Sequence, residues 1–266
     1  MIKKLFLLTA VICVSLAALA HEFWLQPLKF WLKKNEATNI SILVGEDYKG
    51  EKSDWSKYKI QQLKHYSAEG AEDYTAHLSA ADKSIIEAKF AKAGNHLIAF
   101  NNSNKFIELE AEKFNEYLET EGLGYIAELR KSQQNADKPG REFYQRCVKT
   151  LFKVGGKNDS TFAVNTGMRL ELIPRQNPYT MKNGDQMTMQ VLFDNQPVKG
   201  ALVLAWNVVD EKTSVTRHTT NEAGEVMFPV TLKGRWMISS VHMTPYTAST
   251  EADWQSYWGS YTFGYY

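Results

Sequence analysis

Thr38-Asn39-Ile40-Ser41-Ile42-Leu43-Val44 alternates polar with apolar side chains and stops at Gly45. Successive side chains of an extended chain face opposite ways, so this stretch reads as a strand with one buried face and one wet face. The pattern recurs downstream. Asn95 to Phe100 and Phe106 to Leu109 read as short strands around a polar turn at 101–104. Lys59 to Tyr66 and Ala71 to Ser79 keep the period less fully, and Ser84 to Ala91 fits either strand or helix. Polar Glu46 to Lys57 reads as a loop. The chain ahead of residue 111 is therefore expected to be all-β.

The period then changes. Phe114, Tyr117 and Leu118 fall at i, i+3 and i+4, with Gly122 where a helix would stop, and Tyr125 to Gln133 fits a second short helix. Asn135-Ala136-Asp137-Lys138-Pro139-Gly140 breaks the run. Strand pattern returns after Arg141. Val148, Thr150, Phe152 and Val154 share one face, and Met168 to Ile173 stops at Pro174. Met187, Met189, Val191 and Phe193 repeat every second residue. Thioethers bind reduced copper, but alternation with Thr188 and Gln190 points to core packing. Pro197 to Val203, the Asn221 to Glu225 turn and Gly234 to Ile238 suit a small antiparallel sandwich. Ala252 to Trp258 reads as a loop before a closing strand at Tyr261 to Phe263. The expected fold is mainly β. Two antiparallel β-sandwich domains, immunoglobulin-like or transthyretin-like, occupy 21–110 and 141–266, joined by a short helical segment at 111–140.

The amino terminus carries a different signal. Met1-Ile2-Lys3-Lys4 is basic, Leu5 to Leu19 is apolar, and Ala18-Leu19-Ala20 is a small-x-small end. Together they describe a secretory signal peptide at 1–20, with an apolar run too short for a normal spanning helix. Cutting after Ala20 makes His21 the first residue of a periplasmic protein with no membrane anchor. Its free α-amine (pKa roughly 8) and imidazole Nδ1 can then close a chelate ring on one late first-row metal ion. Glu22 adds an oxygen, and Phe23, Trp24 and Leu25 form an apolar anchor for the terminus.

Composition excludes several alternatives. Without 1–20 the chain keeps 29 basic and 30 acidic residues, so it has no footprint for nucleic acid or anionic membrane. Cys13 leaves with the signal and only Cys147 remains, which excludes an internal disulfide and a Cys-based zinc site. His65, His77 and His96 read as surface or edge histidines, and His218 lies on a polar face with Thr216 and Thr220. His242 shares a strand face with Trp236, Ile238 and Ser240. It is either a satisfied edge histidine or a ligand at the sandwich end. Gly-x-Ser-x-Gly, His-Glu-x-x-His, a P-loop and a dinucleotide fingerprint are absent.

Several segments resemble a family of exported bacterial proteins, a domain of unknown function often labelled nickel uptake transporter or NikM-like periplasmic protein. They are Ala20-His21-Glu22-Phe23-Trp24-Leu25, Val44-Gly45-Glu46, Ile107 to Leu118, Pro139 to Arg146, Leu170 to Pro174, Val241-His242-Met243 and Asp253 to Trp258. The resemblance implies a two-part β-rich periplasmic protein that handles transition metals, and it keeps His21 and His242. The function expected is a non-enzymatic metal binder serving nickel or cobalt uptake, with copper as a further candidate. Its ligands are His21 and His242, with Glu22 or Asp253 adding oxygen, and its partner is an inner- or outer-membrane metal transporter. Two other readings stand beside it. A copper histidine-brace oxidoreductase would use the same nitrogens, and a structural or interaction sandwich would bind no metal.

Overall fold

The computed structural model describes residues 22–265. The expected signal segment, the cut after Ala20 and His21 lie outside the described residues. Strands β1 (Glu22–Pro27), β2 (Trp31–Leu32), β3 (Ala37–Glu46), β4 (Lys49–Lys52) and β5 (Ile60–Ser67) come first. Then come β6 (Gly70–Asp73), β7 (Ile85–Lys89), β8 (Gly94–Asn102) and β9 (Lys105–Leu109), leading into helices α1 (Ala111–Thr120) and α2 (Gly124–Ser132). The second half opens with β10 (Gly140–Val154), β11 (Leu170–Pro174), β12 (Gln186–Phe193) and β13 (Gln196–Pro197). It ends with β14 (Leu202–Val209), β15 (Lys212–Thr219), β16 (Glu225–Pro229), β17 (Arg235–Pro245) and β18 (Trp254–Gly264). The protein is mainly β, as its alternating pattern requires.

A ten-stranded sheet runs β15-β14-β17-β18-β10-β8-β5-β6, with β2 and β9 also paired to β10. One face is covered by a sheet of β1, β3, β4 and β7 and by the two helices; the other is covered by a sheet of β11, β12, β13 and β16. Strand alternation makes the two cores. In β8, Ile98 and Phe100 join Phe23, Ile40 and Ile86 on one side, while Leu97 and Ala99 join Leu172, Met187 and Met189 on the other. The methionines are therefore core residues. Pairing is antiparallel except for β10–β18 and β2–β10, which are parallel.

Strands from both sides of the helices enter the same sheet. The 15-residue β10 pairs with β8 and β9 from the first half and with β18 from the second. Alternation tells which face a side chain takes; it does not tell which strand lies alongside. Three local expectations change for identifiable reasons. Glu46 to Lys57 contains β4, because Asp47 and Tyr48, at φ 55° and 56°, turn the chain back as a two-residue hairpin. Ala71 to Ser79 is strand only as far as Asp73, whose carboxylate accepts the Thr75 amide at 3.0 Å and starts a short 3-10 turn. Trp254 to Trp258 is strand, not loop. β18 is buried on both faces between β17 and β10, so it has no wet side to alternate with.

The helices behave as their period suggests. Phe114, Tyr117 and Leu118 are buried against Val241, Trp254 and Trp258. Gly122, at φ +70°, closes α1, with the Leu123 amide bonded back to the Leu118 carbonyl at 2.7 Å. A Cβ at Gly122 would stand 2.6 Å from the Leu202 side chain, so this close approach needs glycine.

Candidate functional site

Glu22 opens β1 opposite Gly45 of β3, which places its side chain beside the β3–β4 turn. The C-terminal turn of α1 and the β14–β15 hairpin complete a pocket of about 370 Å³. Its lining includes Glu22, Glu46, Asp47, Glu116 and Glu121, with Arg217 as its one cation and Trp206, Leu204 and Val215 as apolar wall. Arg217 also donates to the Thr120 carbonyl at 3.0 Å, offsetting the negative end of α1.

Carboxylates crowded into partly dry surroundings hold their protons. Burial, reinforced by Asp47 and Glu46, pushes Glu22 up to about 7 against the opposing pull of Arg146. Burial and the Glu22 charge push half-buried Glu121 up to about 8. Glu142, behind the pocket, is pushed by burial to about 7 while hydrogen bonds from Ser256 and Tyr117 hold it down. The Trp258 indole donates to Ser256 at 3.0 Å. The Arg146 guanidinium lies over the rings of Trp258, Tyr144 and Phe23 at 4.9, 5.0 and 5.6 Å. Losing those protons leaves negative charge facing Arg217.

The other expected ligands lie elsewhere. His242 and Val241 are neighbours in β17, so they face opposite ways. Val241 looks toward Glu22 and Trp258, and the His242 ring lies 4.3 Å from Phe193 on the other side. Burial pushes His242 down to about 4, and its Nδ1 is 3.4 Å from the Tyr125 hydroxyl. Asp253 is held by Arg141 through two bonds of 2.6 and 3.0 Å. Glu22, His242 and Asp253 are thus not brought together, because strand alternation and an existing ion pair separate them. Among the described residues no three His, Cys, Asp or Glu side chains are grouped to hold a metal. The Cys147 thiol is buried and pushed up to about 12, which makes it a packing group.

Two histidines read as surface residues are instead interior. His65 and His96 are 7% and 3% exposed, and His65 Nε2 meets His96 Nδ1 at 2.7 Å. The outer nitrogens face Glu72 at 2.7 Å and the Lys92 carbonyl at 3.1 Å. The two histidines are 31 positions apart, which hid this contact; the β5–β8 pairing, which sets Tyr66 opposite Leu97, makes it. His77 is exposed and stacks on Tyr74, and His218 bonds Thr216 at 2.8 Å. Sequence pattern alone does not point to Glu121, Glu116 or Arg217, although Glu116 and Thr120 share a helix face at i and i+4.

A family profile, the domain of unknown function DUF4198, matches residues 18–244. The chain belongs to the DUF4198 family. The match begins at Ala18, so it takes in His21 and Glu22 and runs through His242. No curated protein matches the chain.

Proposed function

We propose that this DUF4198 protein is an exported, periplasmic binder of a transition-metal cation, nickel or cobalt first, which it delivers to a membrane transporter. The observation that carries the reading is the pocket at Glu22, where five carboxylates face one arginine. Glu22 is covalently next to His21. A chain beginning at His21 brings an amine and an imidazole to a place already negative, and nitrogen donors with carboxylate oxygens suit late divalent metals. This ligand set centres on His21, Glu22 and Glu121 and does not use His242. The nickel uptake and NikM-like labels belong to this reading, as do sandwich halves at 21–110 and 141–266 that share the ten-stranded sheet.

The test is calorimetric titration of protein beginning at His21 with nickel, cobalt, copper and zinc salts, in buffers of different ionisation enthalpy. One ion per chain should bind with proton release at pH 7, because Glu22 and Glu121 are partly protonated there. Glu121→Gln should lower affinity by about tenfold, the scale of one lost charge interaction. No binding, or binding that is indifferent to Glu121 and to the free amine, overturns the reading.

A further inference from the structure

Arg130 is an unusual arginine. It is 1% exposed, yet no carboxylate among the described residues lies within ion-pair distance of it. Its Nη2 donates to the Lys138 carbonyl at 2.7 Å, its Nε has no hydrogen-bond partner, and the guanidinium lies 4.8 Å from the Phe114 ring centroid. A buried cation normally has its charge matched, since desolvation is costly. The Phe114 face offsets only part of that cost.

The Arg130 side chain lines a cleft of about 600 Å³ between the 133–139 loop, the start of β10 and the 245–254 loop. Arg141, on the same wall, is already matched by Asp253 and lies opposite Glu108 on β9. The Lys138 ammonium donates to the neutral Asn135 side chain at 2.8 Å and has no ion pair among the described residues. Asp253 and, from outside the lining, Asp137 act on Arg130 from beyond ion-pair distance. Among the lining side chains three cations stand against two carboxylates, and the cations without an ion pair are Arg130 and Lys138. A single carboxylate suits these two groups, one of them fixed and buried, better than a phosphate dianion does. Pro139, Pro245 and Tyr246 supply apolar wall for an organic body.

From this we infer that the cleft binds the carboxylate of a small organic acid, anchored by Arg130 and Lys138. The site is separate from the Glu22 pocket and shares no lining residue with it. A guanidinium and a carboxylate form charge-assisted hydrogen bonds, which suits Arg130 as the anchor.

The experiment is an amide NMR titration of the full mature chain with sodium benzoate, benzyl alcohol and inorganic phosphate at matched ionic strength. Benzoate should give saturable shifts confined to 130–141 and 245–254, with neither of the others doing so. Lys138→Glu, at an exposed position, should leave the fold intact and weaken benzoate at least about tenfold by placing a carboxylate beside Arg130. Arg130→Lys should weaken it as well, and Glu121→Gln should leave it unchanged. Equal shifts with benzyl alcohol would show an apolar cleft only. A response to phosphate alone would make the ligand class wrong, and no saturable shift with any probe would remove the site. An unchanged benzoate affinity in Lys138→Glu would equally overturn it.

Discussion

Glu22 and His242 lie on opposite faces of the central sheet. Glu22 shares its surroundings with Ser239, Val241 and Trp258, whereas His242 turns to Phe193 and sits opposite Tyr257 in the β17–β18 register. Any cation held near Glu22 is therefore out of reach of the His242 imidazole in this fold. His242 instead closes an aromatic and charged cluster in which the Arg169 guanidinium lies 4.6 Å from the Phe193 ring centroid and pairs with Asp194.

Metal affinity should follow the amino terminus and ignore His242. Adding one alanine ahead of His21 should lower nickel affinity by at least about tenfold, and His242→Ala should change it by less than about twofold, as for groups that share no partners. Calorimetry on the two variants decides the point. A large loss in His242→Ala alone would mean that the cation sits elsewhere.

The raised carboxylates make stability fall with alkali. Glu22, Glu121 and Glu142 move from an ordinary 4.5 to about 7, 8 and 7. The folded chain therefore binds protons that the unfolded chain has lost. Their contribution is complete below pH 4.5 and disappears as pH rises through 7 to 8. Glu121→Gln should match the wild type near pH 5 and exceed it at pH 8.5, read from urea midpoints across the pH series. Parallel curves for the two proteins would contradict this.

The histidine pair acts in the opposite direction. Burial lowers His65 and pushes His96 from 6.5 to about 4, so their contribution is present above 6.5 and is lost as pH falls toward 4. The hydrogens can be counted. The Glu72 carboxylate and the Lys92 carbonyl both accept, so the three contacts call for three ring hydrogens where two neutral imidazoles carry two. Glu72→Gln offers an amide donor there. At pH 7.5 it should stabilise the protein by about 0.5–1 kcal/mol, discounted because the side chain is largely exposed. At acid pH, once His65 gains a proton, the benefit should vanish. Equal or lower stability of the variant at pH 7.5 would overturn this proton count.

Lys149 and Glu171 form an ion pair at 2.5 Å, each 1% exposed, between β10 and β11. Glu171 also accepts the Thr166 amide and hydroxyl and the Met168 amide, at 2.8, 2.6 and 3.1 Å. Lys149→Met strands a buried carboxylate and should cost about 3–5 kcal/mol in denaturant unfolding. Glu171→Ala should cost more, since three further donors lose their acceptor. A loss in Lys149→Met below about 1 kcal/mol would show the pair to be dispensable.

Local pattern was enough to show a mainly β chain with two short helices at 111–133, because strand and helix periods are properties of neighbouring residues. Thr38 to Val44 and Phe114-Tyr117-Leu118 could be read without any partner. The face taken by His242 was also legible, since alternation with Trp236 and Ile238 assigns it. Which strand lies beside which is a different kind of information. The parallel pairing of β10 with β18 brings together residues 112 apart, from Glu142 against Trp254 onward, and nothing in either segment encodes its neighbour. The meeting of Glu22 with Glu121 and the contact of His65 with His96 both depend on how such distant segments pack. Burial and charge proximity raise or lower a proton affinity, and both are set by the packed chain rather than by any segment alone.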